Sequence, residues 1–306
     1  MNVERLVQGT RVLEVDPADP EPEVVAKAAA LLRDGDVVAF PTETVYGLGA
    51  NALSSEAVAR IFAAKGRPSD NPLIVHIADR SQLEGLVASV PEAAERLMAR
   101  FWPGPLTLIF KKSARVPDVI TAGLDTVAVR MPQNPVALKL ITQSGVPVAA
   151  PSANLSGRPS PTSAHHVAED LSGRVEYIID GGSCSVGLES TVLDITGSVP
   201  VILRPGGVTA EMLKKVLGLR GVVTASEVKG EEKPRSPGMK YRHYSPKAEV
   251  ILVSGDNSRV VDTINSLTSE RKNEGRIVGV LCTSENASLY KADIVIPVGS
   301  NDNPED

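Results

Sequence analysis

Apolar and polar positions change in blocks from about Glu21 to Leu219, short β-branched runs exchanging with stretches of helical period. Pro22 stands at a first helical position. Val24, Val25, Ala28, Leu31 and Leu32 follow on one stripe, and Gly35 marks the stop. Asp36–Phe40 then reads as a strand, Ser54 or Ser55 as the cap of a helix through Phe62, and Leu73–Ile77 as a strand. Ser81-Gln-Leu-Glu84 has capping-box spacing, Pro91 opens a helix to Trp102, and Leu106–Phe110 and Thr126–Met131 read as strands. Asn134-Pro135 opens a helix that Gly145 closes. Val146–Ala150 reads as a strand that Pro147 weakens or confines to a sheet edge. A helix near Ser163–Leu171, strands at Val175–Asp180, Thr191–Ile195 and Val201–Leu203, and a helix from Thr209 to Leu217 complete the block. The pattern predicts an α/β domain over residues 20–221 with a mixed sheet. The alternation is too irregular for a simple doubly wound order.

Residues 222–247 break the pattern and read as a linker, with Pro, Gly and charge in Lys229-Gly-Glu-Glu-Lys-Pro-Arg-Ser-Pro-Gly. Lys229, Lys233, Arg235, Lys240, Arg242 and Lys247 face only Glu231 and Glu232 there. This basic excess suits either an inert spacer or a tether lying over an anionic ligand. Residues 248–306 read as a small second α/β domain, with strands at Val250–Val253, Ile277–Leu281 and Ile294–Pro297 and a helix at Arg259–Arg271. At 306 residues the chain has room for about two domains.

Composition narrows the chemistry. The formal charge is −5, and one Trp, five Tyr and four Phe are few for base stacking, so a nucleic-acid-binding module is disfavoured. Cys184 and Cys282 alone cannot form a disulfide framework or a Cys-rich zinc site. The four histidines show no HExxH spacing. No eighteen-residue apolar run suggests a membrane span, and the opening Met1-Asn-Val-Glu-Arg5 lacks a signal-peptide core; a cytoplasmic location is expected.

Neither a GxxxxGK[ST] loop nor a GxGxxG after a strand is present. Four polar groupings stand out instead. Thr42, Glu43 and Thr44 follow a strand, where hydroxyls meet either a ligand or nearby backbone. Lys65 and Arg67 follow a helix, where they serve either an anion or the helix dipole. In the strands, His76 shares a face with Ile74, and Arg130 with Thr126 and Ala128. An Arg in such a strand needs a ligand anion or an internal salt bridge. Finally, Ser152 and Asn154 face one way in an extended loop, and Ser190 and Arg204 stand at other strand ends. Donors and cations without a nucleophilic Cys or a carboxylate dyad point to anion binding.

Together PTETVYGLG at 41–49, KGRPSDNPL at 65–73, WPGPLT at 102–107, VRMP at 129–132, PSAN at 151–154 and SPGMKYRHYSP at 236–246 resemble the YrdC/Sua5 family, over residues 22 to 250. The last motif resembles the linker of the two-domain Sua5 form. The resemblance implies a twisted open mixed sheet around a basic cavity, joined by a linker to a small Rossmann-like C-terminal α/β domain. It also implies a nucleotidyltransferase that makes threonylcarbamoyl-AMP and diphosphate from L-threonine, bicarbonate and ATP, upstream of the machinery that places t6A on tRNA. Mg²⁺ is expected with the ATP, and no tightly bound cofactor. Carried residue by residue, the family's KxR and SxN elements fall on Lys65, Arg67, Ser152 and Asn154 as catalytic residues. Arg67, Asn71, Thr126, Ser152, Ser160, Arg204 and Tyr244 (or Tyr241) would hold ATP. Thr44, His76, Arg130, Ser190 and the backbone at Ala150 would hold threonine. The family's second domain is generally longer than the roughly 60 residues after Lys247, so a shortened C-terminal unit is expected. A carbamoyltransferase built beside zinc fingers would need more cysteines than two.

Overall fold

The computed structural model describes residues 4–218, 222–224 and 248–302. The chain divides into two compact units, one ending at Ser245 and the other beginning at Pro246. In the first, twelve strands among the described residues form one open sheet. In spatial order they are β1 (Glu4–Val7), β2 (Thr10–Glu14), β9 (Tyr177–Asp180), β3 (Val38–Phe40), β4 (Gly47–Asn51), β8 (Val148–Ala149), β5 (Ile74–His76), β7 (Thr126–Arg130), β6 (Leu106–Lys111), β10 (Thr191–Asp194), β11 (Val201–Arg204) and β12 (Val223–Thr224). The sheet is mixed: β2–β9, β3–β9, β5–β7, β6–β10 and β11–β12 run parallel, and the other neighbours antiparallel.

Helices form where local signals and apolar stripes coincide. In α1 (Pro22–Asp34), Val24, Val25, Ala28, Ala29 and Leu32 are buried, and Gly35 closes the last turn in the left-handed region. Ser54 caps α2 (Ser55–Lys65) by accepting from Ala57 N, and Asn134 caps α5 (Pro135–Ser144) through Val136 N and Ala137 N. Ser163 and Thr209 cap α6 (Ala164–Leu171) and α7 (Ala210–Leu217) in the same way. Glu92–Phe101 forms α3 and Asp118–Thr121 a single turn, α4.

The helices cover the sheet unevenly. Ala57, Val58, Ile61 and Phe62 of α2, Leu97 and Met98 of α3, Val167 and Leu171 of α6 and Leu213 of α7 join one large apolar cluster. α1 and α5 build a second cluster with Val38, Phe40 and Val148. Beyond their reach, Ile74, Ile109, Ala128 and Val192 make only a small cluster. Strand register puts His76, Arg130 and Thr107 on this thinly covered face, because His76 pairs with Arg130 and Arg130 with Thr107.

Several elements differ from the sequence reading. Glu4–Val7 and Thr10–Glu14 add two strands before residue 20. Gly47–Asn51 is a strand although its glycines read as loop, and the close approach of its neighbours explains them. A Cβ on Gly49 would lie 2.7 Å from both Phe40 and Val148 side chains. Gly49→Ala is therefore expected to cost about 1–3 kcal/mol, visible as a lower midpoint in thermal unfolding. Pro147 confines nothing to an edge: Val148–Ala149 lies inside the sheet between β4 and β5, and only its length is cut. At Ser81-Gln-Leu-Glu84 the cap is Asp79, paired with Gln82, and the element is a 3-10 turn over Arg80–Gly85. Val222 is buried and Val223–Thr224, read with the linker, joins β11 as the last strand.

In the second unit, β13 (Gly279–Cys282) and β14 (Ile294–Pro297) pair in parallel, and α8 spans Asn257–Asn273. Val250–Val253 forms no strand; β propensity without a partner edge does not make one. No helix among the described residues is long and apolar enough to cross a membrane.

Candidate functional site

Arg130 is the centre of the thinly covered face and is almost fully buried. Its Nε donates to Gly104 O at 3.1 Å and its Nη1 to Thr44 Oγ1 at 2.7 Å. The Gly104 carbonyl is aimed by a tight turn: Gly104 N donates to Met131 O, and a Cβ there would lie 2.5 Å from Phe101 O. Nη2 lies 2.6 Å from Glu43 Oε1, also buried, yet neither Glu43 oxygen receives an aligned hydrogen bond. So the internal salt bridge weighed from sequence is present, as a charge contact. It leaves Arg130 with N–H groups not spent on the protein, since the guanidinium carries five.

His76 stands beside Arg130 with its Nδ1 lacking a hydrogen-bond partner, and Phe40 meets its ring edge-on. Burial, and next the positive charge of Arg130, push its pKa down to about 3, so the imidazole is neutral.

Two hydroxyl pairs flank Arg130. Thr42 Oγ1 and Thr44 Oγ1 are 2.8 Å apart, and Thr42 donates to Val45 O at 2.7 Å. Thr107 Oγ1 and Ser190 Oγ are 2.7 Å apart, and Arg204 clamps Ser190 through its carbonyl and its hydroxyl. Further along, Ser160 donates to Glu189 Oε1 at 2.5 Å.

Lys65, at the end of α2, turns inward. Its ammonium donates to Ser152 O and, at 2.5 Å, to Asn154 O. Ser152 in turn donates to Asn154 Oδ1 at 2.5 Å, and Asn154 Nδ2 donates to Leu155 O and Arg158 O. Lys65 thus shapes the Ser152–Asn154 loop from beneath. Burial, with Arg67 nearby, pushes its pKa down to about 7.

Thr42 and the groups named next line a cavity of about 660 Å³, counting its open mouth, while Lys65, Glu43 and Thr107 support it from outside the lining. Of the residues singled out from sequence, Thr44, Arg67, His76, Arg130, Ala150, Ser152, Asn154, Ser160, Ser190 and Arg204 all line it. Three arginines against Glu189 as the lining carboxylate make it basic. The structure does not place Lys65, Asn71 or Thr126 on the wall. Asn71 is buried, and Thr126 sits at the far end of β7 opposite Lys111. Tyr244 and Tyr241 lie outside the described residues. Sequence reasoning gave no role to Glu43, Thr107 or Glu189. Thr107 carried a usable signal, a hydroxyl inside the apolar run Leu106–Phe110.

The Sua5–YciO–YrdC family model, described as "Telomere recombination", matches residues 30–206. A second, "Threonylcarbamoyl-AMP synthase, C-terminal domain", matches residues 208–306. A threonylcarbamoyl-AMP synthase of Pyrococcus abyssi is 57% identical over 272 residues, 89% of this chain and 79% of that one. One of Bacillus subtilis is 56% identical over 288 residues, 94% of this chain and 81% of that one. The crystal structure of P. abyssi Sua5 complexed with L-threonine superposes with a TM-score of 0.88 at 54% identity, covering 95% of this chain and 84% of that one. The chain belongs to the Sua5–YciO–YrdC family, in the form that carries the Sua5 C-terminal domain.

Proposed function

We propose that the chain is an L-threonylcarbamoyladenylate synthase, converting L-threonine, bicarbonate and ATP to threonylcarbamoyl-AMP and diphosphate. The names of the relatives at 57% and 56% identity support the reaction. The observation that carries it in this chain is the juxtaposition of Arg130, Thr44 and the neutral His76 on one cavity wall. A carboxylate meeting the remaining N–H groups of Arg130 would be held by charge-assisted hydrogen bonds, stronger than neutral ones. Thr44, Ser190 and the backbone at Ala150 would surround the rest of the amino acid. Arg67, Ser152, Ser160 and Arg204 would face the nucleotide, with Asn71, Thr126 and Tyr244 assigned to it by resemblance.

The chemistry needs no covalent enzyme intermediate. The threonine amine, once deprotonated, adds to CO₂ derived from bicarbonate and forms a carbamate. A carbamate oxygen then attacks the α-phosphorus, and the bond to diphosphate breaks. Charge builds on phosphate oxygens, so positioning and fixed positive groups supply most of the acceleration.

Mg²⁺ would supply further charge neutralisation on the triphosphate. Among the described residues no group of three or more His, Cys, Asp or Glu side chains stands where it could hold a metal ion. The residues present fit an ion that arrives on the nucleotide. The product would pass to the t6A transferase machinery on tRNA, a cytoplasmic task.

Diphosphate release is the test. It is expected only when threonine, bicarbonate and ATP are all present; release with ATP alone would count against the assignment.

A further inference from the structure

Both hydroxyl pairs at the cavity wall have a proton direction that follows from placing every buried polar hydrogen. Thr42, Thr44, Thr107 and Ser190 are all buried to within 2% of full cover. The Thr42 proton goes to Val45 O. Thr42 Oγ1 also accepts from Thr44 N and Val45 N, both at 3.2 Å, and with its own proton on Val45 O the shorter 2.8 Å contact is made by the Thr44 proton, while Thr44 accepts from Arg130 Nη1. With its proton spent, Thr44 has only a lone pair left for the cavity.

The second pair runs the opposite way. Thr107 Oγ1 has one partner among the described hydrogen bonds, Ser190 Oγ, and is fully buried. If Ser190 donated to Thr107, the Thr107 proton would be stranded, at a cost of about 1–3 kcal/mol. If Thr107 donates, its proton is placed and only its lone pairs go without a donor, the smaller loss. Ser190 then accepts from Thr107 and from Arg204 Nη2, and its own proton is released toward the cavity it lines.

We propose that Thr42 and Thr107 are positioning residues that set the polarity of the threonine subsite, making Thr44 a fixed acceptor and Ser190 a fixed donor on the wall of the cavity that Arg130 lines. This rests on the functional reading above. The subsite so built takes a β-hydroxy amino acid with a donor group toward Thr44 and an oxygen toward Ser190. Thr107 is absent from the cavity lining and acts through Ser190, whereas Thr42 lines the cavity beside Thr44.

Titration calorimetry on the full chain, with L-threonine and separately with a non-hydrolysable ATP analogue, tests it. Thr107→Val is expected to weaken threonine roughly tenfold and to leave the analogue within about twofold. Thr107→Ser, which keeps the hydroxyl, is expected to restore binding. On a Ser190→Ala background, Thr107→Val is expected to add nothing. Equal losses with and without Ser190, or equal losses for both ligands, would overturn the assignment. A neutron structure reads the same claim without any ligand. It should place deuterons from Thr44 toward Thr42 and from Thr107 toward Ser190, and reversed deuterons overturn the proposal. If deuterons lie as expected but neither Ser190→Ala nor Thr44→Ala weakens threonine, the functional reading has failed and the polarity stands.

Discussion

Replacing Arg130 with alanine is expected to destabilise the chain by about 3–5 kcal/mol and to weaken L-threonine at least ~100-fold, while an ATP analogue loses little. Both effects have the same source. Removing the guanidinium leaves Glu43 buried without its counter-charge, and Thr44 and Gly104 without a donor. The two contributions separate in a double variant. Arg130→Ala with Glu43→Gln removes the stranded charge, so urea unfolding should recover most of the lost stability. Threonine affinity should stay low, because the group that meets its carboxylate is still missing. Equal losses for threonine and the ATP analogue, or threonine affinity returning with stability, would make Arg130 a purely structural residue.

The second large effect belongs to Lys65. Lys65→Met removes the donor that holds Ser152 O and Asn154 O and lets the loop bearing two cavity-lining residues relax. A shift of about 1 Å in such groups costs on the order of 100-fold, so kcat/KM for ATP should fall by about that factor. Lys65→Arg should not rescue it, since the bulkier planar head cannot occupy the same buried spot. The lysine also leaves a pH signature. Its pKa is lowered from 10.5 to about 7 on folding. Between these values the unfolded chain binds a proton that the folded chain does not, so stability rises with pH across that window. Relative to Lys65→Met, the wild-type chain should gain stability from about pH 7 toward 10.5 and show a flat difference below 7. A difference that falls with rising pH would mean the ammonium is stabilised where it sits.

Features that depend on a few neighbouring residues were readable in advance. Gly35, Ser54, Asn134 and Thr209 announce helix ends because capping is decided within a turn. Strand periodicity likewise put Arg130 and Thr126 on one face, though the cavity reaches only the Arg130 end. Pairings across the sheet were not readable. That Glu43 would answer Arg130, or Thr107 would back Ser190, depends on register between segments far apart in the chain. The same limit explains Gly47–Asn51, whose glycines signal a loop locally and fit a strand only once Phe40 and Val148 are beside them. Lys65 reads in the sequence as a cation at a helix end, for an anion or for the dipole, and its inward direction follows only from where the Ser152–Asn154 loop lands.

The N-terminal strands carry a consequence for biosynthesis. Arg11 pairs with Tyr177, and Val38 pairs with Tyr177 as well, so β9 sits between two segments made long before it. A nascent chain growing from its amino end must hold the Thr10–Glu14 and Val38–Phe40 edges unpaired until residues near 180 leave the ribosome. Such distant closure makes for slow maturation, and a ribosome stalled before Tyr177 should display a protease-sensitive intermediate in which the β1–β2 hairpin is not yet joined to the rest of the sheet.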